Sequence, residues 1–270
     1  SFPIKVALSD YRYLSLSNTQ WLIDQIVPVQ SFRLDEERKI NLRRDYKLDA
    51  IINKLNSFPR LGEKFVLKQG TKPYGNKNKK SVMLLSTVKH DGTWEPAING
   101  RDISQYEINF SNNYVKRSSE LHTSLDQSIV SNPKIYFQRM RKISLFPRIV
   151  AAYDNGGMHG LYTCSVIFPK NGIDISLKYI LGLLNSKLIN VWYKNYDTDI
   201  EIKLVSMKNI PIPDISLSNQ SELSSMVDKL MESKKEKNRD KTSELLILID
   251  KIVCDIYGLT DEERRVIENI

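Results

Sequence analysis

The sequence predicts an α+β fold in which a mixed β-sheet body is followed by a helical C-terminal end. Between residues 64 and 168, short apolar or β-rich runs alternate with turn residues, as in chains that form sheets. Beyond residue 172, apolar residues recur at spacings of three and four, the period of a helix packed on one face. With 270 residues, 41% of them hydrophobic and 27% charged, the chain is long and apolar enough to bury a core.

The N-terminal 60 residues predict a connecting region with a short apolar segment around Trp21, Leu22 and Ile26. A charged helix follows, and its apolar residues recur at helical spacing: Leu48, Ile51, Ile52 and Leu55. We expect Pro59 and Gly62 to end this helix.

The predicted sheet body contains four strands that the pattern marks clearly, over residues 81–87, 134–140, 148–153 and 164–168. Residues 154–157 read Asp-Asn-Gly-Gly, and these residue types tolerate the positive φ of a tight turn. We therefore expect residues 154–157 to connect two strands.

The C-terminal part predicts three helical segments. The first has one apolar face, formed by Leu177, Ile180, Leu181, Leu184, Leu188, Val191 and Trp192. Residues 210–213 read Ile-Pro-Ile-Pro and must be extended, because each proline lacks a donor and restricts its predecessor. Two further helices follow, the first beginning in a capping box of Asn219 and Glu222 and the second ending at Gly258. We expect them to form an antiparallel pair joined by a solvated charged run, residues 234–241. The predicted domains are therefore a connection over 1–60, a body over 61–213 and a helical region over 214–270.

The charge is distributed unevenly along the chain. Residues 1–213 hold 31 basic and 19 acidic residues, a net +12, whereas residues 214–270 hold 9 and 13, a net −4. The ranges 60–90 and 133–148 carry a single acid, Glu63, against these bases: Arg60, Lys64, Lys68, Lys72, Lys77, Lys79, Lys80, Lys89, Lys134, Arg139, Arg141, Lys142 and Arg148. A field of one sign attracts a polyanion, so nucleic acid is the first partner to expect.

Several classes of protein are disfavoured. No apolar run approaches the roughly 18 residues of a membrane span. Cys164 and Cys254 are far apart, which supports neither a disulfide framework nor a zinc ribbon, and the three histidines have no metal-site spacing. We expect a cytoplasmic protein without metal ligands. The chain begins Ser-Phe-Pro without an initiator Met, and we expect it to be a piece of a longer protein.

Several segments resemble one family, the TaqI-like C-terminal specificity domain of bacterial restriction-modification methyltransferases. They are Gly-Arg-Asp-Ile at 100–103 followed by Tyr106, Pro-Lys-Ile at 133–135, Gly-Leu-Leu-Asn-Ser at 182–186, the Ile-Pro-Ile-Pro connector at 210–213, and the closing helix with Tyr-Gly-Leu-Thr-Asp-Glu-Glu at 257–263. The resemblance covers about residues 60–268.

The resemblance implies that this chain selects a sequence in double-stranded DNA for a DNA adenine methyltransferase. The family's parent enzymes carry an Asn-Pro-Pro-aromatic motif for the target adenine, and this chain has no such tetrapeptide. We therefore expect no catalytic residue and no cofactor in this chain. Methylation, with S-adenosylmethionine, is expected in an N-terminal methyltransferase domain of the same polypeptide.

The residues predicted to contact DNA form two groups. The glycine- and lysine-rich stretch 70–80 lacks the Gly-Lys-Ser/Thr end of a phosphate-binding P-loop, but its amides and ammoniums suit a DNA backbone. Arg139 and Arg141, two positions apart at the end of a strand, point to one side and suit guanine or phosphate. The full predicted set is Lys68, Lys72, Tyr74, Lys77, Lys79, Lys80, Arg101, Arg139, Arg141 and Lys142.

Two alternatives remain open at this level. Asp199, Glu201 and Lys203 form the end of a metal-dependent nuclease pattern, which would need alternation to place them on one strand face with a further acid. A general RNA-binding module would prefer single strands and stack bases on aromatic side chains.

Overall fold

The computed structural model describes the backbone alone of residues 3–8, 23–28 and 74–75, and all atoms of residues 45, 48–73 and 84–270. The strands are β1 Pro3–Leu8, β2 Ile23–Pro28, β3 Phe65–Gln69, β4 Lys72–Gly75, β5 Leu85–Ser86, β6 Trp94–Ile98, β7 Ile103–Ser104, β8 Glu107–Ile108, β9 Asn113–Lys116, β10 Leu121–Thr123, β11 Lys134–Gln138, β12 Ala151–Asp154, β13 His159–Gly160 and β14 Cys164–Pro169. The helices are α1 Asp49–Asn56, α2 Leu61–Lys64, α3 Gln127–Ser131, α4 Leu177–Asn185, α5 Lys187–Tyr196, α6 Leu204–Lys208, α7 Leu217–Lys235, α8 Arg239–Ile256 and α9 Asp261–Glu268, with a 3₁₀ turn at Gly100–Asp102. The predicted α+β class is confirmed.

The central layer is an antiparallel sheet in the order β12-β11-β14-β3. Its side chains alternate between two apolar layers, because successive residues of a strand point to opposite faces. Ile135 and Phe137 pack in the core that includes the helices, whereas Tyr136 and Val166 pack in a second cluster on the other face. The sheet therefore separates the helical layer from the remaining strands.

A second four-stranded sheet has the order β13-β6-β9-β5, and its β13-β6 pair is parallel, which makes the body mixed as predicted. The short pairs β4-β10, β7-β8 and β1-β2 are separate ribbons. The predicted turn at 154–157 is confirmed: it leads from β12 to β13, and Gly156 and Gly157 have φ of 116° and 104°. The turn therefore joins the two sheets.

The predicted long helix over 177–192 is wrong in one respect, because it is two helices that meet at Ser186. This residue is extended, with φ −65° and ψ 152°, and its Oγ accepts the Ile189 N–H at the start of α5. Its own Oγ–H donates to the Leu183 carbonyl that ends α4. Apolar periodicity continues across such a break, so the pattern alone does not reveal it.

The Ile-Pro-Ile-Pro connector is extended, as predicted. Its backbone exchanges hydrogen bonds with the chain around the start of α2: the Leu61 N–H donates to Ile210 O at 2.8 Å, and the Ile212 N–H donates to Pro59 O at 2.7 Å. The buried Tyr257 hydroxyl donates to Pro211 O at 2.7 Å. The connector's carbonyls, which have no helical or strand partner within the connector, thereby accept hydrogen bonds inside the core.

Helices α7 and α8 form the predicted antiparallel pair, joined by residues 236–238. The predicted start of α7 at Asn219 is wrong, because the N-cap is Ser216. Gly258, with φ 65°, follows α8, and Thr260 and Glu263 then cap α9 in a reciprocal box. The predicted helix with Leu48 and Leu55 is α1, and it shares one apolar core with α4 to α9. The predicted domain boundaries at 60 and 213 stay predictions.

A buried polar cluster lies in the second sheet. His159 is 3% exposed, and its Nε2 is hydrogen-bonded to Glu95, which also accepts from Arg117. Burial lowers the pKa of His159 and outweighs Glu95, which raises it. The ring is therefore neutral near pH 7, with Nε2–H as the donor, and its buried Nδ1 has no hydrogen-bond partner among the residues described.

This cluster predicts a pH dependence of folding stability. The unfolded chain takes up a proton at histidine near pH 6.5, whereas folded His159, with its lowered pKa, does not. The unfolded state then binds more protons, so the free energy of unfolding falls as pH drops below about 6.5. Urea unfolding between about pH 7.5 and 5.5 should reveal this fall, reduced in His159→Gln. Parallel profiles for the two proteins would contradict the assignment.

Candidate nucleic-acid interface

One edge of the body is a set of loops held together by backbone hydrogen bonds, here called the loop edge: residues 100–102, 139–147, 162–163 and 197–203. The Arg139 N–H donates to Thr163 O at 3.0 Å, and Thr163 Oγ1 accepts the Gly100 N–H at 2.9 Å. The Arg141 N–H donates to Ile200 O at 3.1 Å. Four segments distant in sequence are thereby fixed beside one another.

Arg148 connects two segments of the loop edge through hydrogen bonds from the interior. It is fully buried, and its Nη1 donates to Arg141 O at 2.6 Å and to Lys142 O at 3.0 Å, while its Nη2 donates to Asp199 O at 2.6 Å. Burial lowers the pKa of this guanidinium, and Tyr193 and Asp197 raise it. One buried cation thus joins residues 141–147 to residues 197–203.

Four of the predicted DNA contacts lie on the loop edge. The Arg101 side chain is 77% exposed, with only a 3.9 Å approach to Asp102, and Lys142 is also exposed. Arg139 is bound to Glu201 through Nε at 2.9 Å, and Arg141 donates from Nε to Pro147 O at 2.6 Å. The two guanidiniums, predicted as a fork pointing one way, therefore bind different internal acceptors.

The other predicted group follows β3 and β4. Lys68 pairs with Asp126 at 2.9 Å, both side chains being largely exposed, and this pairing lowers the pKa of Asp126. Lys72 begins β4, and its N–H donates to Thr123 Oγ1 at 3.3 Å. Tyr74 lies in β4, its side chain outside the described atoms, and the remaining predicted contacts lie outside the described residues: Lys77, Lys79 and Lys80.

Residues 160–164 link these two groups. The Gly70 N–H donates to Cys164 O at 3.0 Å and the Thr71 N–H donates to Gly160 O at 2.8 Å, so the chain entering β4 runs beside this segment. A Cβ at Gly70 would overlap the Leu161 carbonyl, which explains a glycine here. Both cationic groups therefore adjoin one strand-and-turn segment.

Part of the basic field predicted from the sequence is wrong. Lys134 and Arg148 are fully buried and cannot reach a ligand at the surface. Arg60 donates to Asn56 O at 3.1 Å, and Lys64 pairs with Asp214 at 2.6 Å. These residues make internal contacts of the body, and Lys134 does so because alternate side chains of its strand face the interior.

The nuclease pattern lacks its required geometry. The predicted strand alternation does not form, because only Glu201 makes a β-bridge, with Met140. Glu201 is bound by Arg139, and Asp199 pairs with Lys203. No group of three acids, histidines or cysteines that could hold a metal occurs among the described residues. Within the same described ranges, no helix is long and apolar enough to cross a bilayer.

The decisive comparison is with protein families. The model of the TaqI-like C-terminal specificity domain matches residues 95–212. Residues 95–212 form a TaqI-like C-terminal specificity domain. Within this specificity domain lie the loop edge and four of the segments on which the resemblance rests: the Gly-Arg-Asp-Ile turn, Pro-Lys-Ile at 133–135, the Gly-Leu-Leu-Asn-Ser helix end and most of the connector. The predicted family is confirmed.

The Gly-Leu-Leu-Asn-Ser segment has a structural role in the specificity domain. The buried Asn185 side-chain amide pairs with the backbone of Ala151 as a neighbouring strand would. Its Oδ1 accepts the Ala151 N–H at 3.0 Å, and its Nδ2 donates to Ala151 O at 2.9 Å. Asn190 Oδ1 accepts the Ile149 N–H at 2.6 Å. The helix break at Ser186 thus presents amides that position the chain leading from the loop edge into β12.

Solved structures to which this chain is similar include several restriction-modification proteins. The type IIL enzyme MmeI, in complex with DNA, has a TM-score of 0.55 at 9% identity, covering 78% of this chain and 37% of that one. The type IIG restriction endonuclease BpuSI gives 0.46 at 12%, covering 89% and 36%, and HsdS from Thermoanaerobacter tengcongensis gives 0.38 at 14%, covering 78% and 51%. The likeness to MmeI shows the fold, and this chain spans little more than a third of MmeI or BpuSI. No curated protein sequence matches.

Sequence reasoning missed two features of the loop edge. The first is the burial of Arg148, since the sequence predicts a surface position for it within a run of bases. The second is a set of exposed apolar side chains: Met140, Leu145, Phe146 and Ile200. A signal for the second did exist, because Leu-Phe-Pro at 145–147 is an apolar run too short for a strand and flanked by bases on both sides.

Proposed function

We propose that this chain recognises a specific sequence in duplex DNA and directs a methyltransferase to it within a restriction-modification system. The observation that carries this proposal is the specificity-domain match over residues 95–212, the part of the chain that also contains the loop edge. Exposed Lys142 lies on that edge together with Arg101, whose side chain is 77% exposed and approaches Asp102 only to 3.9 Å. Such cations neutralise phosphates and position a duplex for base contacts.

The finer proposal concerns the parent protein. It is an adenine-N6 methyltransferase whose catalytic domain precedes this chain in the same polypeptide, works in the cytoplasm and uses S-adenosylmethionine. This chain has no Asn-Pro-Pro-aromatic tetrapeptide, so the chemistry belongs to that other domain. The helical end, with its net charge of −4, is a packing surface for it.

A selection experiment tests sequence recognition. The purified chain is mixed with a pool of duplexes of about 30 base pairs containing a randomised centre, and bound DNA is recovered through successive rounds. We expect enrichment of one sequence, together with preference for duplex DNA over a single-stranded RNA of the same length. A pool that stays random, or RNA that competes as well as duplex, would reject the proposal.

Charge variants test which surface holds the DNA. Lys142→Ala and Arg101→Ala should each weaken binding a few-fold and lower the slope of log Kd against log salt concentration by about one, as expected for one lost phosphate contact. The matched control is Lys235→Ala, because Lys235 is 70% exposed at the end of α7. A control that weakens binding as much as the loop-edge variants would place the DNA elsewhere.

A further inference from the structure

The tip of the loop edge exposes apolar side chains to water. Leu145 and Phe146, here called the tip, are 44% and 41% exposed, and Met140 and Ile200, in the hydrogen-bonded segments 139–141 and 200–202, are 54% and 55% exposed. Residues 139–148 contain no acid. A group of exposed apolar side chains beside cations is a common sign of an interaction surface.

The tip is held rigidly from within. Besides the three bonds from Arg148, Arg141 donates to Pro147 O at 2.6 Å, closing the loop across its base, and the Leu145 N–H donates to Lys142 O at 3.0 Å. A loop ordered in this way has already lost its conformational entropy before a ligand arrives. The exposed side chains therefore stand on a fixed support.

The charges around the tip fit DNA. Two of the three acids on residues 197–203 are paired with cations, Asp199 with Lys203 and Glu201 with Arg139, and the third, Asp197, accepts a hydrogen bond from the Ser206 hydroxyl. Lys142 remains exposed three residues before Leu145. Phosphates can thus approach the tip on its cationic side while its apolar side chains meet the bases. A protein partner would gain nothing from that excess positive charge unless its surface were acidic.

We propose that Leu145 and Phe146 form a wedge that inserts between neighbouring base pairs of the bound duplex and bends it. Apolar side chains used in this way partly unstack a base step, and the bent duplex then contacts more protein surface. The proposal rests on the proposed function and adds to it a mode of reading, because the cost of unstacking depends on the sequence of the step. Flexible pyrimidine–purine steps are the expected sites of insertion.

The wedge is tested with the double variant Leu145→Ala/Phe146→Ala on a duplex recovered from the selection. Fluorescence energy transfer between dyes on the duplex ends reports bending, and 2-aminopurine placed at successive steps reports unstacking. We expect the double variant to bind about tenfold more weakly, to leave the duplex straight and to lose the 2-aminopurine signal. Its salt slope should stay unchanged, because no phosphate contact is removed.

Two further variants make the result specific. Ile247→Ala removes an apolar side chain that is 70% exposed on α8 and should change none of these readouts. Phe146→Trp provides a probe when its emission is compared with that of the wild type, which has Trp21, Trp94 and Trp192: the added emission should be quenched by the duplex, because the indole stacks on bases. Unquenched emission would overturn the wedge, and so would a double variant that bends the duplex as much as the wild type does. A tip that binds a protein instead of DNA would give these same two results.

The failure of the wedge is distinguishable from failure of the proposed function. A wild-type chain that selects a sequence but leaves its duplex straight and stacked overturns the wedge alone. A wild-type chain that selects no sequence overturns the proposed function, and the wedge with it.

Discussion

Arg148→Met is expected to lower the free energy of unfolding by about 3 to 5 kcal/mol. Methionine fills much of the same volume, so the loss comes from hydrogen bonding rather than from a cavity. Three backbone carbonyls, those of Arg141, Lys142 and Asp199, would lose their charged donor in a fully buried site. Buried acceptors without donors cost about 1 to 3 kcal/mol each, less where water enters.

Urea unfolding measures this loss, and limited proteolysis locates it, since cleavage within residues 139–147 should accelerate. Arg148→Lys should be intermediate, because an ammonium keeps the charge but cannot reach both segments as a planar guanidinium does. Lys142→Met is the matched control: this exposed base lies in the same loop and should change stability by no more than about 0.5 kcal/mol. An Arg148→Met protein within about 1 kcal/mol of wild type would refute the role given to this cation.

The α+β class and the order of the main elements follow from the sequence because they depend on local periodicity. Alternating runs gave the central strands, and three-to-four spacing gave the helices of the C-terminal end. The helix break at Ser186 does not follow from local periodicity. A serine in an apolar helical pattern is ordinarily tolerated, and here tertiary contacts of Asn185 and Asn190 with β12 and its approach stabilise the break.

The candidate site was predictable in composition but not in orientation. Sequence identifies which segments are basic, whereas burial depends on which face of the fold each side chain occupies. Lys68 and Lys134 illustrate the difference. Each pairs with an aspartate, at 2.9 Å and 2.6 Å, yet the Lys68 side chain is 46% exposed and that of Lys134 is 0% exposed. Nothing near either residue in the sequence distinguishes an exposed lysine from a core lysine.

The loop edge is a further case, because its segments meet only in three dimensions. Thr163 and residues 197–203 lie far from residues 139–141 in sequence and join them through backbone hydrogen bonds, and the Gly100 N–H of the Gly-Arg-Asp-Ile turn donates to the Thr163 hydroxyl. Nearly every residue carries the same backbone donor and acceptor, so no pattern of residue types predicts these contacts. The resemblance to a family located the domain, and only the geometry located the edge.

Lys134→Met is expected to cost about 3 to 5 kcal/mol of unfolding free energy, because it leaves a carboxylate buried without its partner. Lys134 Nζ lies 2.6 Å from Asp154 Oδ2 and also donates to Val130 O at 2.7 Å and Asn132 O at 3.1 Å. Burial lowers the pKa of Lys134, while Asp154 opposes that shift. Burying the ion pair costs free energy, and removing one partner from it costs more.

A double-mutant cycle separates those two costs. In Lys134→Met/Asp154→Asn the charge is removed from both partners, while the amide oxygen still accepts the N–H of Gly156 in the turn after β12. We expect urea unfolding to recover at least half of the loss caused by Lys134→Met alone, because no uncompensated charge remains. Lys68→Met is the matched surface pair and should cost less than about 1 kcal/mol. If the double variant is no more stable than Lys134→Met, the penalty is not the unpaired carboxylate, and the two carbonyls that lose the ammonium must account for it.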